Sequence, residues 1–248
     1  MPYRMPDAQP HALNDAAAAR TAAARYLAAT MQSGRCPADR SFDRFMTEAL
    51  RLVSPEYWTP LAAVRRAATW LDDLGVRTVA DIGSGAGKFC VAGALFSSCR
   101  FTGLEQYASL VEAAHGLAAL FGVDDRVRFV TGALGTVPDP VADAYYFFNP
   151  FGEYRFGADH PEADGTAVTD TRYEEDIAAA EGLLREVPHG TLVLTYNGFG
   201  GAMPAGYETV HVDRTLRSEL RLWRKRHRWR RGGRRSGGRR RRPQRMEV

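Results

Sequence analysis

Little in this chain of 248 residues could cross-link it or anchor it. Its three cysteines, Cys36, Cys90 and Cys99, are odd in number, widely spaced and free of any CxxC pair. That argues against a disulfide framework and against a zinc site, and leaves reduced, buried thiols; no metal is expected. No uncharged apolar run reaches the roughly 18 residues that mark a membrane helix. The alanine-rich segment 16–30 comes nearest and is broken by Arg20 and Arg25. No compact apolar segment follows a basic start, so a secretory signal is not expected and the expected location is cytoplasmic. Internal repeats at periods of roughly 20 to 50 residues are also missing, which excludes a solenoid.

The body of the chain lacks basic charge. Residues 221–248 hold 14 Lys or Arg against one acid, Glu247, whereas the preceding 220 residues hold 19 against 28. The overall net charge of +4 therefore averages an acidic body and a basic end. The arginine-rich end, with its Gly and Ser, has no apolar periodicity and cannot bury enough surface to offset its ordering entropy. It is expected to be disordered alone. Such a segment could hold nucleic acid or another polyanion through phosphates, although charge runs are more often solvated and inert.

What is present is periodicity. The hydrophobic content of 45% suits a globular chain with one well-buried core. The spacing predicts a weakly amphipathic helix within residues 1–40. A helix capped by Ser41 follows, with Phe42, Phe45, Met46, Leu50 and Val53 at helical spacing and Pro55 ending it. A second helix is expected at 59–75, with Thr59 as its cap, Pro60 in its first turn and Gly75 at its end.

From Arg77 short apolar runs alternate with helical stretches. Strands are expected in RTVADIG, CRFTGLE, RVRFVTG, ADAYYFFN and GTLVLTYNG, and helices at 86–96, 107–121 and 173–187. YETVHVD and SELRLWRK read as two further strands joined near Thr215. The predicted fold is α/β: a three-layer, doubly wound, mostly parallel sheet closed by an antiparallel C-terminal hairpin, with N-terminal helices. The predicted organisation is an extension over 1–40, a domain over 41–225 and a basic tail over 226–248.

In VADIGSGAGKF the first strand runs into a helix through Gly83, Ser84, Gly85, Ala86 and Gly87. Glycines there allow unusual backbone angles, and the helix start offers free N–H groups to a nucleoside or nucleotide. A dinucleotide site calls for GxGxxG, but the residue five places after Gly83 is Lys88. Asp81, at the end of the strand, would repel a pyrophosphate and accept from a cationic ligand. Glu105 stands 22 positions after Gly83, at the end of the second strand, with Gln106 following.

An acid before GxGxG, with a second acid closing the next strand, resembles the first two motifs of the class I S-adenosylmethionine-dependent methyltransferases. The resemblance covers roughly residues 59–224. It implies that Gly83, Ser84, Gly85 and Gly87 pass the methionine moiety of S-adenosylmethionine, that Asp81 helps hold its amino group, and that Glu105 accepts from the ribose hydroxyls with Gln106 beside the adenine. Where many members carry an adenine-binding acid after the third strand, this chain has Ala133, so backbone groups of Gly132 and Ala133 are the expected contacts. Residues Tyr57, Trp58 and Thr59 could line the cofactor mouth or simply pack and cap.

Asn149, Pro150 and Phe151 fall at the end of the fourth strand, where open α/β sheets place their chemistry. The family's fourth motif lies there, and in amino-methylating branches it is Asp, Asn or Ser, two prolines and an aromatic. The resemblance implies that Asn149 and Pro150 orient the acceptor, that Phe151 stacks on it and that Asn149 borders the cofactor. This chain has one proline. The acceptor, an N or O nucleophile, stays open, as do the readings of the connection 152–170 as a substrate lid and of its His160 as a general base rather than a loop histidine without such a role. An NAD-dependent oxidoreductase and a non-catalytic nucleoside- or nucleic-acid-binding module are the competing readings.

Overall fold

A computed structural model describes residues 10–150 and 170–226. Phe151, His160 and the rest of 151–169, together with 1–9 and the tail from 227 onward, lie outside the described residues.

Four helices lead the chain: α1 (Pro10–Gln32), α2 (Asp39–Asp43), α3 (Glu48–Tyr57) and α4 (Leu61–Asp73). The single helix expected after Ser41 is two. Residues 44–47 break it, and Thr47 restarts it by accepting the Leu50 N–H on its side chain. The break lets Phe42 stack on Phe121 at 4.7 Å while Phe45 meets the same ring edge-on at 5.2 Å. Pro55 does not end α3, which runs on to Tyr57. Nor does Thr59 cap α4. Pro60 holds the cap position, and the free Leu61 N–H donates instead to Asp39 Oδ1 at 2.9 Å.

The alternation then follows as β1 (Thr78–Ile82), α5 (Lys88–Phe96), β2 (Arg100–Glu105), α6 (Ala108–Phe121), β3 (Val127–Thr131), β4 (Ala144–Phe147), α7 (Asp170–Glu186) and β5 (Leu192–Tyr196). The chain ends in β6 (Tyr207–Asp213) and β7 (Leu220–Lys225). Among the described residues the strands form one seven-stranded sheet, in the order β3-β2-β1-β4-β5-β7-β6. The first five pair in parallel; β7 runs antiparallel between β5 and β6. The doubly wound sheet with a closing antiparallel hairpin is therefore the fold of this protein.

Pleating sends alternate side chains to opposite faces. In β4, Ala144 and Tyr146 join the core under α1, α4, α5 and α6, whereas Tyr145 and Phe147 join the core under α7. Within the first of these cores, Ala24, Leu27, Ala28 and Met31 of α1 are buried alongside residues of α5 and α6. Strand order reverses at the β1–β4 pair, where Ile82 stands opposite both Leu104 and Phe147. A crevice opens at such a switch point, outside the carboxyl ends of the strands. Among the described residues no helix is long and apolar enough to cross a membrane.

Candidate functional site

The turn after β1 carries three glycines with left-handed backbone: Gly83 at φ +75°, Gly85 at +53° and Gly87 at +79°. A helix cannot include a left-handed residue, so α5 begins at Lys88 and not at Ala86. A Cβ at Gly83 would meet Pro150 Cβ at 2.5 Å, and one at Gly85 would meet Trp58 Nε1 at 2.9 Å. At Gly87 it would strike Phe129 and Ala114. The glycines thus let the protein's own side chains close on the loop, with Trp58 and Pro150 as its lids.

Two buried carboxylates stand at the strand ends. Asp81 is 2% exposed, and Cys90 Sγ of α5 donates to its Oδ2 at 3.3 Å. Burial raises the Asp81 carboxyl to about 7, against the thiol's opposing hydrogen bond and with help from the nearby Glu105 charge. Burial also raises Glu105, while backbone amides pull it back. Its two oxygens accept from Gly85 N–H and Tyr107 N–H, both at 2.9 Å, which ties the glycine loop to the start of α6. Ser84 Oγ is buried without a hydrogen-bond partner among the described residues.

A narrow slot runs beside these groups, bounded by Gly83, Glu105, Gln106, Gly132 and Ala133, with Pro150 and Asp176. A second cavity of about 300 Å³ shares Gly83 and Pro150 with the slot and is walled by Tyr57, Trp58, Phe148, Asn149, Tyr196 and Arg217. That volume is at the lower end for small-molecule sites. Of the residues picked out in the sequence, Asp81, Gly83, Ser84, Glu105, Gln106, Gly132, Ala133, Asn149 and Pro150 line cavities at this one end of the sheet, whereas Gly85 and Gly87 complete the loop and face Trp58 and Phe129. Phe151 is outside the described residues. Thr59, instead of capping a helix, meets the Tyr146 hydroxyl at 2.5 Å.

Asn149 has φ +40° and Asn197 has φ +59°, the two non-glycine residues with left-handed backbone among those described. They follow β4 and β5 and both line the larger cavity. Backbone strain of this kind persists where surrounding contacts hold it and clusters at functional sites. Here Asn149 N–H donates to Gly198 O at 2.9 Å and Asn197 N–H to Glu219 O at 3.0 Å.

Two groups escaped the sequence reading. Lys88, at the start of α5, is 2% exposed and pairs with Asp39 at 2.9 Å and Asp43 at 2.8 Å while donating to Ser54 Oγ at 3.2 Å. It locks α2 and α3 onto the glycine loop. Asp176 is the other. It is one of three successive acids, but Ala180, Leu184 and Val187 share its helical stripe and turn it inward to 6% exposure. That phase was the available signal.

No family model matches the chain, and no curated protein matches it. Solved structures do. One is a Klebsiella pneumoniae protein described as a candidate O-methyltransferase, with a TM-score of 0.51 and 16% identity over 82% of this chain and 97% of that one. Another is the O-methyltransferase from Bacillus cereus in complex with SAH, with a TM-score of 0.51 and 13% identity over 76% and 92%. At such identities the likeness is one of fold: the chain is built on the Rossmann-like architecture of these methyltransferases.

Proposed function

We propose that the protein is an S-adenosylmethionine-dependent methyltransferase that passes the methyl group to an N or O nucleophile. The observation that carries this reading is the meeting of the narrow slot and the larger cavity at a shared wall, Gly83 and Pro150, with the buried Asp81 two residues before that wall at the end of β1. Two buried carboxyl groups, Asp81 and Glu105, when ionised suit an ammonium group and ribose hydroxyls and oppose a pyrophosphate. The unpartnered Ser84 Oγ in the same loop fits a site completed by a polar ligand.

When bound, S-adenosylmethionine supplies a sulfonium methyl open to direct displacement. The chain's own task is then alignment and exclusion of water. Asp81 holds the amino group; Glu105, oriented by the Gly85 and Tyr107 amides, accepts from the ribose. Gly83, Ser84, Gly85 and Gly87 set the loop, and Gln106, Gly132 and Ala133 border the base. Pro150 at the cavity junction and Asn149 in the wall of the larger cavity orient the acceptor, with Phe151 next in the chain; Tyr57, Trp58 and Phe148 give the acceptor cavity aromatic walls.

Calorimetric titration with S-adenosylhomocysteine tests the cofactor, and a labelled-methyl screen across nucleic-acid, protein and small-molecule pools tests the transfer. Micromolar binding and label incorporation are expected. Tight NADH binding with none of S-adenosylhomocysteine overturns the reading.

A further inference from the structure

We propose that Asp176, on α7, is the group that reads the exocyclic amino group of the cofactor's adenine. This rests on the methyltransferase reading. The slot has apolar side chains in Ile82, Leu104 and Leu134, suited to the flat faces of a purine, so selectivity for adenine depends on a polar group at its rim. Among the described residues the loop after β3 brings no acid to the slot, and the backbone groups of Gly132 and Ala133 there are largely paired within the protein. Gly132 N–H donates to Glu105 O at 2.9 Å, and Ala133 N–H donates to Thr136 Oγ1 at 3.1 Å. The Ala133 carbonyl accepts from both Thr136 N–H and Thr136 Oγ1. The Glu105 carboxylate is turned to the Gly85 and Tyr107 amides.

Asp176 also lines the slot, 6% exposed, brought there by α7 and not by any strand end. Its Oδ2 accepts from Arg172 Nε at the long distance of 3.3 Å. A carboxylate has about four lone-pair sites, so that contact leaves acceptor capacity for an N–H of a base. Arg172, one turn earlier on α7 and 44% exposed, meets the carboxylate from the solvent side. An acceptor-only group at the rim matches the amino group of adenine and opposes the carbonyl of hypoxanthine. Such a contact discriminates because the wrong base turns a carbonyl oxygen toward the carboxylate and leaves its spare lone pairs unmatched.

The test compares S-adenosylhomocysteine with its deaminated analogue, S-inosylhomocysteine, by calorimetry on the full chain. Wild type is expected to favour the adenosyl ligand by roughly ten- to a hundredfold, the range for a hydrogen bond to a charged group. In Asp176→Ala this preference is expected to fall toward one, and Asp176→Asn, which keeps the shape, is expected to narrow it as well. Thermal unfolding of each ligand-free variant separates a binding effect from loss of fold. Equal loss of affinity for both ligands in the variants, or no preference in wild type, overturns the assignment of Asp176. Failure of wild type to bind either ligand overturns the methyltransferase reading, and the assignment with it.

Discussion

Asp81 is the residue whose chemistry is most exposed to test. Its carboxyl, raised by burial to about 7, is partly protonated near neutrality. A ligand ammonium stabilises the charged form and lowers that value, so binding of S-adenosylhomocysteine should release a proton, and affinity should climb as pH rises through about 7. The linkage to folding has the opposite sense. A carboxyl raised above its unfolded value, near 3.9, adds stability that is complete below that value and is lost as pH rises through about 7. Titrations in buffers of different ionisation enthalpy would report the proton, and Asp81→Asn should abolish it. Binding of the wild type that stays constant from acid to alkaline pH would sink the idea. The position of Asp81 and Glu105 beside the loop was legible because strand ends and glycine spacing are local properties. The identity of what fills the space over the glycines was not: Trp58 lies 27 residues before Gly85 and Pro150 lies 67 after Gly83.

At the scale of elements, the coupling of α2 and α3 to α5 rests on Lys88. Asp43 Oδ1, with no other partner among the described residues, stands 2.8 Å from its ammonium, and Asp43 Oδ2 accepts from Ser54 at 2.8 Å. Removing one member of a buried ionic cluster leaves the others uncompensated and costs about 3–5 kcal/mol. Lys88→Met should therefore lower the free energy of urea unfolding by about that amount and weaken cofactor binding, since the ion pair fixes the helix that follows the glycine loop. Adding Asp43→Leu to Lys88→Met should recover part of the loss. A single variant as stable as wild type would show that the cluster does not hold these elements together. The hydrophobic spacing of residues 42–53 carried no sign of the break between α2 and α3. That break comes from Phe121, a partner on a different helix, for which both Phe42 and Phe45 compete.

For the whole molecule, the described chain closes on its last strand. Arg226 N–H donates to Gly206 O at 2.8 Å, and His189 Nδ1 meets Arg226 O at 2.6 Å, which finishes the β6–β7 edge. A chain cut after Arg226 should keep its affinity for S-adenosylhomocysteine and its thermal midpoint, and should lose any salt-sensitive retention on an immobilised polyanion. Loss of ligand binding on truncation would instead make the tail part of the site. By itself the sequence determined the α/β alternation, the closing hairpin and the pair of acids at the strand ends. All of these follow from local periodicity and from residue spacing. Only the tertiary structure decided which surfaces face one another across the crevice: Trp58 and Pro150 over the glycine loop, Lys88 among the carboxylates of α2 and Ser54 of α3, and Asp176 at the rim of the slot. Such contacts join residues far apart in the chain. They are set by packing of whole elements, and no short stretch of sequence encodes them.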